Sequence, residues 1–198
     1  MKTRARAEKN AATTAALLAA AATTFAERGF EAATMEQIAE RVGLSKGALY
    51  YRYKTKEDLF LALLDERCAA YVAQLEQTPS LGWSAFAEQF VDVVREGTWP
   101  RLFFEFVSYA SRRPQTRRRL VKRTRAVRDA IQRVVEQQAA RSGTASRVPA
   151  ADIALALTAL GNGLALERVA DPHGVPDRAF LELPALILSS AARQRTSR

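Results

Sequence analysis

An all-α fold of about nine helices is predicted. Three observations carry that prediction. Alanine fills 38 of the 198 positions, glycine and proline only 9 and 7, and no proline precedes Pro79. Chains so rich in Ala and poor in breakers favour helix. Apolar residues recur at helical spacing, and no segment sustains the period-two alternation of a strand.

The elements follow in order. Residues 1–10 read as a basic tail with Lys2, Arg4, Arg6 and Lys9. Residues 11–28 read as a helix, with Leu18, Ala21, Ala22 and Phe25 at i, i+3, i+4 and i+7. Gly29 is placed to end it with a left-handed cap. Thr34 and Gln37 form a capping box that starts a short helix over 35–42, interrupted by Gly43. Ser45 caps the next, 46–53, and Thr55 with Asp58 starts a fourth that runs toward Pro79. Beyond it, Gly and Pro punctuation marks helices near 82–96, 99–111, 114–141, 149–169 and 177–195. Pro184 is expected to kink the last one or delay its start.

Composition excludes several chemistries. One cysteine, Cys68, forbids a disulfide within the chain, and with the one histidine, His173, it forbids a Cys/His zinc site. His173 lies in the turn-forming run Asp171-Pro172-His173-Gly174, which reads as a solvated turn rather than a catalytic triad. No metal, cofactor or catalytic residue is assigned, and no enzymatic role is expected. Cysteine poverty fits a reducing, cytoplasmic setting. The basic start followed by uncharged 11–26 resembles a secretory leader, but its only large aliphatics are Leu17 and Leu18. Its spacing is that of a helix leading into Phe25. No apolar run reaches the ~18 residues of a membrane span. The net charge of +9 suggests a polyanionic partner, either nucleic acid or an anionic membrane surface.

Function is read from residues 11–53. Two short helices meet at Gly43, a residue suited to a tight turn, and Ala39 is small where they must cross. Ile38, Val42, Leu44 and Leu49 form the apolar seam, covered by Phe25 and Phe30. This is a helix-turn-helix pattern. The second helix leaves Ser45, Lys46, Gly47, Ala48, Tyr50, Tyr51 and Arg52 outward, and these are small, basic or phenolic. A small-residue start lets a helix enter a major groove closely, and Tyr, Lys and Arg supply donors to phosphate.

The ungapped 35-residue run from Phe25 to Leu59 carries Phe25-Ala26-Glu27-Arg28-Gly29-Phe30, Thr34, Ile38-Ala39 and Gly43-Leu44-Ser45-Lys46-Gly47-Ala48-Leu49-Tyr50-Tyr51-Arg52-Tyr53. It closes on Lys56-Glu57-Asp58-Leu59. It resembles the TetR family of transcriptional regulators, which has F-A-E-x-G-F/Y, T-x-x-x-I-A, G-V-S-x-G-x-L-Y-x-H-F and S-K-E-x-L. The resemblance implies DNA contact by Thr34, Ser45, Lys46, Gly47, Tyr50, Tyr51, Arg52 and Lys56, with Thr34, Tyr50 and Lys56 on backbone phosphate. Where the family has His-Phe, this chain has Arg52-Tyr53. Arg52 strengthens a phosphate role, and Tyr53 can fill an aromatic core slot if its hydroxyl finds a partner.

The remaining chain, 56–198, reads as a larger helical domain after a DNA-binding domain at 11–55. Eight of the 16 aromatics lie between Trp83 and Tyr109. The helix near 99–111 is apolar around most of its circumference. Either it is packed solid or it lines a cavity. Resemblance to the family implies a small-molecule pocket lined by Phe86, Phe90, Phe103, Phe106, Val107 and Tyr109. Glu105 lies on the polar arc as a solvated acid, which favours an apolar or aromatic effector. The nine cations of 112–128 form a solvated face opposite Leu120, Val127, Ile131 and Val134. The segment 149–169 is apolar nearly all round, so a second subunit is its natural cover. Leu155, Asn162, Leu166, Phe180 and Ile187 are the expected interface, and the family implies a four-helix dimer bundle. The expectation is a cytoplasmic homodimeric repressor that binds double-stranded DNA at a palindrome, is released by a small molecule and has no membrane partner. The alternative is a basic membrane-surface or protein adaptor.

Overall fold

The structure, a computed structural model, describes residues 2–95, 98–142 and 146–191, with side chains for 8–74, 76, 98–141 and 146–190. Its eight helices are α1 (Lys2–Ala32), α2 (Met35–Arg41), α3 (Lys46–Arg52), α4 (Lys56–Arg95), α5 (Thr98–Ser111), α6 (Pro114–Ser142), α7 (Ala150–Ala170) and α8 (Asp177–Ala191). No strand forms among the described residues.

Two boundaries differ from the predicted ones, each because a signal was weaker or stronger than expected. α1 starts at Lys2, taking in the expected tail, since nothing before Gly29 breaks helix. α4 runs unbroken through Pro79 and Gly82, merging two predicted helices. A proline removes one backbone hydrogen bond and need not end a helix. α8 likewise contains Pro184. Gly29 does interrupt α1, at φ 77° and ψ 165°, outside the left-handed helical well expected of a cap. A Cβ there would meet the Glu105 carboxylate at 2.9 Å, so backbone and packing both call for glycine.

The chain divides into two compact units, 1–67 with 105–120, and 68–104 with 121–198. The first unit thus takes in segments of α4, α5 and α6 beyond residue 55. Its core is aromatic. Phe25, Phe30, Phe60 and Phe106 are fully buried. Phe60 and Phe106 stack at 4.0 Å between ring centroids, and Phe30 meets both edge-on at 5.3 and 4.9 Å. Each such ring contributes about 1.5–3 kcal/mol by burial. Leu17, Ile38, Leu49, Leu59 and Leu61 complete the core.

The second unit has an aliphatic core. Ala130, Ile131, Val134 and Val135 of α6 pack with Ile153 and Ala154 of α7, flanked by Tyr71, Val72, Leu157, Ile187 and Leu188. Ala165 and Phe180 form a smaller cluster with Phe104, Leu164 and Val175. The α7–α8 turn is locked by buried Arg168. It pairs with Asp177 at 2.7 Å, donates to the Val175 carbonyl and lies over the Phe180 ring. α7 also carries an 18-residue stretch long and apolar enough to cross a membrane, which no run was expected to reach. Its uncharged run, between Asp152 and Glu167, is 14 residues.

Candidate nucleic-acid interface

Local chemistry builds the helix-turn-helix. The Thr34 hydroxyl accepts from the Gln37 N–H at 3.3 Å, and the Gln37 side-chain oxygen accepts from the Thr34 N–H at 3.1 Å. This is the predicted capping box. After α2, Gly43 takes φ 68°, and the Leu44 N–H donates to the Ala39 carbonyl at 2.9 Å. Ser45 then accepts from the Ala48 N–H at 3.2 Å and starts α3. A second box follows, because the Thr55 N–H donates to Asp58 at 3.0 Å and the Asp58 N–H to Thr55 at 3.1 Å.

α3 has seven residues and buries one of them, Leu49. Ser45, Lys46, Gly47 and Arg52 are exposed, Tyr50 is half-buried, and Tyr51 is 84% exposed. A Cβ at Gly47 would meet nothing within 4 Å. Tyr53 is half-buried, and burial pushes its phenol pKa up, as befits the core slot expected of it.

The cations around α3 have different engagements. Lys46 pairs with Glu36 at 2.5 Å, and its ammonium lies 5.7 Å from the Tyr50 ring centre. Their hydrogen bond holds the Glu36 carboxyl below its usual range and raises the Lys46 pKa. Arg52 donates to Thr14 and to the Asn10 side-chain oxygen, both at 3.1 Å. Lys56 donates to the carbonyls of Glu31 at 2.7 Å and Ala33 at 2.9 Å, and its ammonium sits 4.9 Å from the Phe30 ring centre. Burial lowers its pKa. Lys54, which the sequence reading passed over, is exposed, with its ammonium 5.9 Å from the Tyr51 ring centre. The spacing Lys54-Thr55-Lys56 was the signal that could have found it.

Residues 105–120 belong to this unit and are tied to it by polar contacts. Glu105, expected in solvent, is half-buried and accepts from the Glu31 N–H at 3.2 Å. The Tyr109 hydroxyl donates to Glu57, and the Arg113 guanidinium lies over the Tyr109 ring at 3.6 Å. Arg119 pairs with Asp58 at 2.7 Å. Burial pushes both carboxyls up, but hydrogen bonds outweigh it and hold both below their usual range. Those bonds come mainly from Tyr109 to Glu57 and from Arg119 and Thr55 to Asp58.

The described residues expected to line a pocket divide between the two units. Phe106 is fully buried among Phe30, Phe60 and Tyr109, because its ring closes the aromatic core of the first unit. Tyr109 is spent on Phe30 and Glu57. Val107 is half-buried in the same unit, and Phe103, half-buried beside Phe104, belongs to the second. The side chains of Phe86 and Phe90 lie outside the described residues.

Of the five residues expected on a dimer face, three are exposed: Leu155, Asn162 and Leu166. Phe180, only 2% exposed, is held inside by Ala165 and Arg168. Ile187 is half-buried against the α6–α7 core. Leu183 and Leu186, outside that set of five, are exposed one helical turn apart. Among the described residues, no group of three or more His, Cys, Asp or Glu could hold a metal ion.

Comparison with known proteins accounts for most of the chain. Residues 17–63 match the family described as bacterial regulatory proteins, tetR family, and residues 83–190 that described as BetI-type transcriptional repressor, C-terminal. The HTH-type transcriptional activator FasR of Mycolicibacterium smegmatis is 41% identical over 61 residues, 31% of this chain and 28% of the relative. The HTH-type transcriptional repressor AcnR of Corynebacterium diphtheriae is 45% identical over 53 residues, 27% of this chain and 28% of the relative. The matched part thus spans 28% of the length of each of these relatives. Among solved structures, a TetR transcription regulator from Haloarcula marismortui aligns over 92% of this chain and 100% of its own, with TM-score 0.75 and 19% identity. That likeness is one of fold.

Proposed function

From the premise that this chain belongs to the tetR family of bacterial regulatory proteins, we propose that it is a cytoplasmic, DNA-binding transcriptional repressor. It acts as a homodimer on an inverted-repeat operator and catalyses no reaction. The observation that carries this reading is the composition of α3's outer surface. Tyr51 stands 84% exposed, and Gly47 faces open space although nothing among the described residues requires a glycine there. Intrachain packing explains neither residue, whereas close approach to a duplex explains both.

In this reading Ser45, Lys46, Gly47, Tyr50, Tyr51 and Arg52 meet bases and phosphates, and Thr34 meets phosphate. The Thr34 hydroxyl oxygen accepts within the capping box, which leaves its hydrogen to donate outward. Two copies paired through Leu155, Asn162 and Leu166 of α7, together with Leu183 and Leu186 of α8, would set two reading heads on successive major grooves. A small apolar or aromatic effector, received in the second unit around Phe103, Phe86 and Phe90, would favour the state that fits the operator less well. By linkage, DNA and effector then oppose each other.

The test is selection of bound sequences from random duplexes by the full chain. Recovery of an inverted repeat is expected. Recovery of nothing, or of an unpaired half-site alone, overturns the reading.

A further inference from the structure

We infer that the opening turns of α1 are a further DNA-contacting element, a row of cations on backbone phosphate, and that Arg52 is the positioning residue that holds this row beside the recognition helix. The inference rests on the DNA-binding reading above and deepens it.

Residues 2–9 hold four cations, Lys2, Arg4, Arg6 and Lys9, against one acid, Glu8. Their backbone is helical and continuous with the part of α1 that enters the core through Leu17, Leu18, Ala21 and Phe25. By register, Lys2, Arg6 and Lys9 stand at i, i+4 and i+7, a single row along the helix. Core packing does not account for this part of α1. Glu8, Lys9, Asn10, Ala11 and Ala12 span more than a full turn, and all five are exposed.

Arg52, the last residue of α3, ties it down. Its guanidinium donates to the Asn10 side-chain oxygen and to the Thr14 hydroxyl, both at 3.1 Å, on successive turns of one α1 face. A guanidinium has five N–H groups. The brace uses two, which leaves three for phosphate, so Arg52 belongs to both surfaces. The cation row flanks the braced face. It starts at Lys9, next to Asn10, and reaches Lys2 about 12 Å beyond Asn10 along the helix. The occupant is the duplex assigned to α3, because a duplex is a continuous polyanion and this row prolongs the surface on which α3 ends.

The experiment measures binding of the full chain to a mixed-sequence duplex as a function of salt, with melting temperature in parallel. Each phosphate neutralised contributes about 0.9 to the slope of log K against log salt. The triple change Lys2→Ala, Arg6→Ala and Lys9→Ala is expected to flatten the slope by about 0.9 to 2.7, for one to three phosphates, with melting temperature kept. Lys9→Ala with Ala11→Lys keeps the net charge but carries one cation about 200° round the helix. It should flatten the slope by about 0.9, so that the parent's advantage shrinks about threefold between 50 and 200 mM salt. Asn10→Ala with Thr14→Ala removes both acceptors of the brace and no cation. It should weaken binding by the parent and leave the triple variant's binding unchanged. A merely structural brace would weaken both alike and overturn the positioning role, as would a loss in neither. An unchanged slope for the triple variant overturns the inference. A parental slope for the moved lysine overturns it too, since diffuse charge then suffices. If the brace variant does not fold, the moved lysine, at two exposed positions, decides. A parent that binds no duplex at low salt overturns the DNA-binding reading itself. A parent that binds while the triple variant keeps its slope overturns only the present inference.

Discussion

The first unit hides its large apolar side chains almost completely, whereas the second leaves a set of leucines in water. In the first, four phenylalanines are fully buried against one another, and Tyr51 on α3 is its one large apolar residue left exposed among the described residues. In the second, Leu155, Leu166, Leu183 and Leu186 are exposed on α7 and α8, Leu186 by 63%. The contrast separates two ways of using helices. Interlocked rings give a frame that stands alone and can hold one side chain out on purpose. Aliphatic helices with uncovered leucines have surface still to bury, which the proposed second copy would supply.

The comparison breaks first if the aromatic frame is not close-packed. Phe106→Ala removes a ring held between Phe30 and Phe60 and should cost about 3–5 kcal/mol. That is a large fraction of the 5–15 kcal/mol typical of a whole domain. Urea unfolding of the unliganded protein measures it. A loss under about 1 kcal/mol would mean that the ring borders empty space, as a pocket residue does, and would restore the expectation drawn from its place on α5.

For Phe106 the structure shows an aromatic core around the ring, which the sequence does not announce. The helical wheel showed that α5 is apolar around most of its girth, but not which neighbours fill the space around it. Capping and turn chemistry was legible because its partners lie three to five residues apart, as for Thr34 with Gln37, Ser45 with Ala48, and Leu44 with Ala39. The outward set on α3 was legible for a similar reason, since one buried residue, Leu49, orients the whole short helix. Glu105 with Glu31, Tyr109 with Glu57 and Lys56 with Ala33 are separated by 74, 52 and 23 residues. No local pattern announces such pairs, so the sequence shows neither the Glu105 contact with the Glu31 N–H nor the hold of Lys56 on the Ala33 carbonyl.

The second unit is tested by making its leucines unfit for burial. Leu166→Glu together with Leu186→Glu places charges on two exposed sites, so each chain should keep its own fold. Sedimentation should then give the mass of one chain in place of two, and the preference for an inverted repeat over a half-site should vanish. A dimer that persists would assign the uncovered leucines to some other partner and leave the contrast between the units without its explanation.

Tyr51→Ala should have the smallest effect on folding and the most informative one on binding. With 84% of the residue in solvent, there is little packing to lose. Its recorded neighbour is the exposed Lys54 ammonium, and the helix keeps its cap at Ser45 and its anchor at Leu49. Stability should therefore stay within about 0.5 kcal/mol of the parent, the usual range for surface sites. Affinity for the selected duplex should fall about tenfold if one good polar contact of about 1.4 kcal/mol is removed. Thermal melting and equilibrium binding on the same preparations separate the two quantities. Loss of stability without loss of affinity would make Tyr51 part of the frame rather than something the frame displays. The first unit would then need another reason to leave an aromatic ring in water.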